Sequence, residues 1–161
     1  MALELLPLTT YDLPLIRSIL SNFAMMKDLG GIQNDQQIIA AHKRYLEPER
    51  QMFKIITENP NQPAGTVGIW SKEYNGQTTS EMGWMILPEY QGKGLAKMAA
   101  NLVLEMVKRE RKYSTVCAFP AISNIKSNSL CEQLGFSKIS ECTIEYPRGN
   151  FLKCNHWELK I

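Results

Sequence analysis

The stretch from Thr79 to Phe119 constrains the fold more than any other part of the chain. Thr79 to Leu87 is an extended, largely apolar run ended by Pro88. The turn Gln91-Gly92-Lys93-Gly94 follows, and an amphipathic helix begins at Leu95. Leu95, Met98, Ala99, Leu102, Val103 and Met106 recur at helical spacing, while Lys97, Asn101, Glu105 and Lys108 lie on the other side. Ser114 to Phe119 is then a β-rich apolar run, as expected of a central strand after a crossover helix. The two glycines let the backbone approach a ligand with no Cβ in the way. The helix start adds unpaired N–H groups and a positive dipole end, together an anion site to which Lys93 adds charge. Position 97 is Lys where the dinucleotide fingerprint needs a small residue, and no Gly-Lys-Ser/Thr follows as in a P-loop. On the turn alone, an anion cradle and a ligand-free βα turn are both open.

The remaining elements fall around this unit. Leu3 to Leu8 reads as a first strand. Thr9-Thr10-Tyr11-Asp12 has the form of a capping box, Pro14 fits a first helical turn, and Leu13, Ile16, Ile19, Leu20 and Phe23 form one helical stripe broken by Gly30-Gly31. Asn34 with Gln37 starts a second helix. Met52–Thr57, Thr66–Ser71 and Thr79–Leu87 form a meander with turns at 59–63 and at Tyr74-Asn75-Gly76-Gln77, where Asn-Gly is a strong hairpin signal. A short helix over Asn124–Leu134 ends at Gly135. Ile139–Tyr146 and Phe151–Leu159 close the chain as a hairpin. The order β-α-α-β-β-β-α-β-α-β-β predicts an α+β fold, a mixed, mostly antiparallel sheet of about seven strands flanked by about four helices.

At 161 residues the chain fits one domain over 1–161. Eighteen Lys+Arg against sixteen Asp+Glu leave +2, too little to argue for nucleic acid or an acidic membrane. The run Lys108-Arg109-Glu110-Arg111-Lys112 reads as a solvated helix end. Cys117, Cys131, Cys142 and Cys154 contain no CxxC pair, so no metal site is predicted and the thiols read as packing groups. Residues 1–6 lack a basic leader, and no run approaches the roughly 20 apolar residues of a membrane span. A reduced, cytoplasmic setting is the expectation.

The segment Ser80-Glu81-Met82-Gly83-Trp84-Met85-Ile86-Leu87-Pro88-Glu89-Tyr90-Gln91-Gly92-Lys93-Gly94-Leu95-Ala96 resembles the cofactor motif of the GCN5-related N-acetyltransferase (GNAT) superfamily, Gln/Arg-x-x-Gly-x-Gly/Ala, through Gln91, Gly94 and Ala96. Asn124-Ile125-Lys126-Ser127 and then Leu134-Gly135-Phe136 resemble its second signature. The wording of both is most similar to the branch containing the ribosomal-protein N-terminal acetyltransferases. The resemblance covers nearly the whole chain, the first third in outline.

The resemblance implies a V-shaped splay between Thr79–Leu87 and Ser114–Phe119. A pantetheine arm would lie in it against the N–H and C=O of Ile86 and the carbonyl of Pro88. The cofactor, acetyl-CoA, would be held along Ile86, Leu87 and Pro88. Its diphosphate would take N–H groups from Gln91, Gly92, Lys93, Gly94, Leu95 and Ala96, and Asn124 and Ser127 would flank the arm. The Ile86 N–H would polarise the thioester carbonyl. Glu81 is the base expected by position, set against an ordinary hairpin Glu. Cys131 stands where many relatives keep a Tyr acid, which passes that task to Ser127, set against a helix-end hydrogen bonder. The acceptor would be a primary amine of unknown identity on a protein N-terminus, an amino acid or a small molecule, and the chain a monomer or homodimer. The alternative is a non-catalytic coenzyme-A-binding module. Trp70 and Trp84 are read as pocket or core aromatics, His42 and His156 as isolated residues, and Phe23, Met25 and Met26 as lying near the acceptor lip.

Overall fold

A computed structural model describes residues 2–58 and 62–161; the expected turn residues 59–61 lie outside the described residues. The elements are β1 (Glu4–Pro7), α1 (Leu13–Leu20), α2 (Phe23–Met26), α3 (Asp35–Tyr45), β2 (Arg50–Ile56), β3 (Gly65–Tyr74), β4 (Gln77–Ile86), α4 (Leu95–Glu110), β5 (Thr115–Ala118), α5 (Ile125–Gln133), β6 (Ser137–Glu145) and β7 (Phe151–Lys160), with 3-10 turns at Thr10–Asp12 and Pro88–Tyr90. The seven strands lie in the order β1-β2-β3-β4-β5-β7-β6. All pairs are antiparallel except β4–β5. That is the expected mixed sheet.

Local chemistry sets the register. Asn75 and Gly76 take positive φ of 50° and 74°, the mirror-image turn whose twist suits a hairpin. Pairing then runs Tyr74↔Gln77, Lys72↔Thr79, Trp70↔Glu81 and on to Gly65↔Ile86. Because side chains alternate across a strand, Trp70, Lys72, Glu81, Gly83 and Met85 share one face. α4 and α5 cover the other face, over a core of Val67, Ile69, Met82, Val103, Val107, Val116 and Phe136. α1 to α3 cover the Glu81 face near its Ile86 end, packing Ile16, Ile19, Leu20, Met26 and Ile38 toward Met52 and Met85.

Two helical details differ from expectation. The first helix stops at Leu20, because Asn22 accepts a hydrogen bond from the Met25 N–H and starts the separate α2. That adds a fifth helix and puts Phe23 on the surface at 74% exposure. In α4 the buried stripe is Leu95, Ala99, Ala100, Val103, Leu104 and Val107, whereas Met98 and Leu102 are partly exposed. The adjacent alanines let the helix lie close on β3 and β4, which turns Met98 and Leu102 to its rim.

A buried charge cluster ties β2 to the start of α1. Asp12 Oδ2 accepts from the Thr9 N–H and hydroxyl at 2.7 and 2.8 Å, and Oδ1 accepts from Lys54 Nζ at 2.8 Å. Burial pulls the Asp12 pKa up, but the bonds from Lys54 and Thr9 outweigh it and hold the carboxyl below its usual value. A depressed folded pKa stabilises the fold above the unfolded pKa and is lost as pH falls through the folded one. Asp12→Asn should cost about 1 kcal/mol at pH 7 in urea unfolding. The two stability curves should converge below about pH 3; a constant gap would show that the carboxylate charge is not the source.

Candidate active site

The site begins where two strands part. β4 pairs with β5 only at Ser80↔Val116 and Glu81↔Cys117, although β4 continues to Ile86. On the β3 side the ladder continues, and Leu87 donates its N–H to the Ala64 carbonyl at 2.9 Å. Antiparallel alternation therefore turns the N–H and C=O of Ile86 toward the side that β5 has left. The expected splay is present, with one refinement. Ile86 C=O accepts from Gln91 Nε2 at 2.8 Å, and Pro88 C=O accepts from the Gln91 N–H at 3.2 Å. One lone pair on each of these carbonyls is thus engaged within the chain, which leaves the Ile86 N–H as the main open group. Gln91 Oε1 also accepts from Lys126 Nζ at 3.3 Å, so one side chain links β4 to α5 across the gap.

The turn has the geometry of an anion cradle. Gly92 and Gly94 hold φ of 77° and 74°, and a Cβ on either would meet no atom within 4 Å. The space is open; the backbone conformation is what requires glycine. Gly94 caps α4 with no side-chain hydrogen bond, and the first turn carries no acidic residue. The first intrahelical bond runs from the Met98 N–H to Gly94 O. The N–H groups of residues 95–97 therefore face outward beside a positive dipole end with no carboxylate to neutralise them. Gln91, Gly92, Lys93 and Gly94 are exposed, and Lys93 Nζ sits 5.5 Å from the Tyr90 ring. Leu87 and Leu95 are buried, so they offer a ligand only backbone.

A cavity of about 780 Å³ lies on the other side of the gap, and Glu81, Asn124, Ser127, Trp70 and Trp84 all line it. Its floor is built from the β3–β4 register. A Cβ on Gly83 would come within 3.0 Å of the Trp70 ring, so glycine there lets the indole lie across β4. Arg50 stacks on the same indole at 4.8 Å. Glu81 Oε2 pairs with Lys72 Nζ at 2.7 Å, and Lys72 lies 4.1 Å from the Phe119 ring centroid.

Ser127 is placed by two partners. Its N–H donates to Asn124 Oδ1 at 3.1 Å, which caps α5, and its Oγ accepts from Trp84 Nε1 at 3.3 Å. An oxygen that accepts from an indole keeps its own proton to donate. The neighbouring Asn128, which the sequence did not single out, donates to the carbonyls of Ala121 and Asn124 and accepts from Asn155 and Trp157. It fastens the start of α5 to β7. Cys131 is fully buried, and burial pushes its thiol up to about 12, which makes it a packing group.

His156 is not isolated, contrary to the sequence expectation. It stacks on Phe119 at 4.8 Å, meets Tyr74 edge-on, and places Nε2 3.2 Å from Glu158 Oε1. Cys117, His156 and Glu158 bring three donor atoms within 4.8 Å of one another. Burial lowers the His156 pKa against the pull of Glu158, and burial raises the Cys117 thiol, so both are neutral groups at pH 7. His42 is buried, with Nε2 3.0 Å from Thr9 O, as a core residue. Met26 is buried, Met25 packs beside it, and Phe23 lies away from the cavity wall.

A sequence model of the acetyltransferase (GNAT) domain matches residues 2–137. The chain belongs to the GNAT acetyltransferase family. Acetyl-CoA is the donor this family uses, and the open backbone edge and glycine cradle suit its pantetheine amides and diphosphate. The uncharacterized N-acetyltransferase YnaD of Bacillus subtilis (strain 168) is 32% identical over 100 residues, which is 62% of this chain and 58% of that protein. The spermidine N-acetyltransferase from Vibrio cholerae, solved with CoA and spermine, superposes with a TM-score of 0.78 at 20% identity, covering 98% of this chain and 95% of that one. The Salmonella typhimurium acetyl transferase that modifies the N-terminal serine of a 50S ribosomal subunit protein gives 0.80 at 17% identity, covering 100% and 96%. At these identities the superpositions show a shared fold.

Gly94→Leu should lower CoA affinity about tenfold, by straining the cradle, at a cost of about 1 kcal/mol in folding. Calorimetric titration with CoA alongside a melting curve tests this. Unchanged affinity in a folded variant would remove the turn from the cofactor site.

Proposed function

We propose that this chain, as one catalytic domain, transfers an acetyl group from acetyl-CoA to a primary amine by direct attack within a ternary complex. The observation that carries this reading is the one-sided end of β4. Its Ile86 N–H faces the side that β5 has left, and Glu81 and Ser127 both line the neighbouring cavity. When bound, acetyl-CoA supplies the activated acyl group as a thioester.

The chain's own residues handle protons and charge. An amine attacks only as the free base, so a proton must leave the acceptor nitrogen. Glu81 takes it, directly or through water, on the carboxylate oxygen that Lys72 does not hold. The Ile86 N–H lies along a fixed strand and stabilises negative charge on the acyl oxygen without reorganising. Ser127 Oγ–H, with Oγ held by Trp84, gives a proton to the departing sulfur and regains one from solvent. The N-terminal amine of a protein, an amino acid or a small amine would each satisfy this chemistry.

Glu81→Gln should lower kcat by about 10²- to 10³-fold at pH 7 and leave the KM for acetyl-CoA unchanged. Activity should recover as pH rises and the acceptor supplies its own free base. Thiol release from acetyl-CoA over a pH series reads this directly. A wild-type rate and pH profile in the variant would exclude Glu81 as the base.

A further inference from the structure

We propose that the acceptor is an amine that also carries an anionic group, a carboxylate or a phosphate, bound by Arg44 and Arg50 at the α3 end of the cavity. The inference rests on the acetyltransferase reading of the same cavity and adds the acceptor's chemical class.

The charged side chains lining the cavity are unequal in number and in pairing. Arg44, Arg50, Lys72 and Arg148 face Glu81 and Glu145. Glu81 is matched by Lys72 at 2.7 Å. Glu145 Oε1 accepts the Gly149 N–H at 2.7 Å within its own hairpin. Neither acid is ion-paired with Arg44 or Arg50. Arg50 has only Glu47, at a long 3.9 Å, and Glu47 is half-exposed and outside the cavity lining. Among the described residues Arg44 has no ion-pair partner, and its guanidinium sits 5.7 Å from the Tyr45 ring.

Two further features make this a formed site. Arg50 is largely buried, with 18% of its side chain exposed, and is stacked on Trp70. Stacking uses the face of the guanidinium and leaves the in-plane N–H fork for a ligand oxygen. Burial, and after it the neighbouring Arg44 charge, lowers the Arg50 pKa, and Tyr45, Glu47 and Glu81 offset this only in part. An anion placed there would relieve that repulsion, and a polycation would add to it.

The spacing follows from the sheet. Arg50 pairs with Trp70 and Trp70 with Glu81, so Arg50 and Glu81 are two strands apart in one row. At the usual interstrand spacing this is about 10 Å between backbones. An acceptor with its nitrogen at Glu81 and an anion several bonds away spans that row. The length suits an ω-amino acid or a short peptide with an acidic group.

The test uses four six-carbon amines that differ only at the far end: 6-aminohexanoate, 6-aminohexyl phosphate, 6-aminohexanamide and hexane-1,6-diamine. With acetyl-CoA, kcat/KM for the better anion should exceed that of the amide by about tenfold, and the diamine should be slowest. Comparing carboxylate with phosphate tells which anion fits. In Arg50→Gln and in Arg44→Gln the preference should shrink to within about threefold, while Arg50→Lys keeps part of it. Calorimetric binding of the same probes to the CoA-loaded protein gives an order independent of turnover. An amide or diamine equal to or better than both anions overturns the inference, as does an undiminished preference in both folded Arg→Gln variants or failure of both anions to bind. If none of the four turns over, the binding order still decides the acceptor class, and the acetyltransferase reading is decided separately by thiol release from acetyl-CoA with peptide and amino-acid amines.

Discussion

The separation of β4 from β5 after Glu81 is the constraint around which the rest of the site is arranged. A strand inside a sheet cannot leave its N–H and C=O groups unpaired at no cost, since each buried orphan is worth on the order of 1–3 kcal/mol. The chain resolves part of that cost itself, through Gln91, whose amide occupies the Ile86 carbonyl and reaches Lys126 on α5. The Ile86 N–H remains. A ligand able to lie along the strand and pair with its edge is the natural completion, and the pantetheine arm of coenzyme A carries two amides that can do so.

The same parting explains why the two groups proposed to move protons stand on elements of different kinds. Glu81 sits on the last row where β4 and β5 still pair, so its backbone is fixed by ladders on both sides. Ser127 sits in the first turn of α5, which enters as β5 ends and is tied down by Asn124, Asn128 and Trp84. Between them is the open edge. Rigid placement of the proposed base, acid and donor N–H is worth more to catalysis than any one of them, because little is left to reorganise.

Much of this was legible in the residues. The Asn75-Gly76 hairpin fixes register, and register alone puts Trp70 beside Glu81 and Lys72 one row away. The Lys72–Glu81 pair and the Trp70–Gly83 contact could have been read from that turn and were not. The glycines at 92 and 94 announced a backbone conformation that the structure contains. What sequence periodicity could not supply was tertiary rotation. Met98 and Leu102 satisfy the spacing of a buried stripe, yet Ala99 and Ala100 decide which way α4 faces, because small residues allow the closest approach. Phe23 likewise fits the first helical stripe, but the local cap at Asn22 ends the helix and expels it. The cations of the cavity come from α3, β2, β3 and the β6–β7 hairpin, and no local pattern links them. His156 and Glu158, two apart on β7, share a face by alternation alone, whereas the contact of His156 with Phe119 comes from strand pairing that a linear pattern does not show.

The central claim is that the unpaired end of β4 receives the cofactor through its backbone. Residue-resolved amide hydrogen exchange, with and without saturating CoA, tests it most directly. Amides on the β3 side, Met85 in β4 and Leu87 just after it, should be protected in both states. The Ile86 amide and those of residues 92–96 should exchange rapidly in the free protein and slow by at least about tenfold with CoA. If CoA binds tightly and the Ile86 amide exchanges at an unchanged rate, the cofactor lies elsewhere and the account of the open strand edge is wrong.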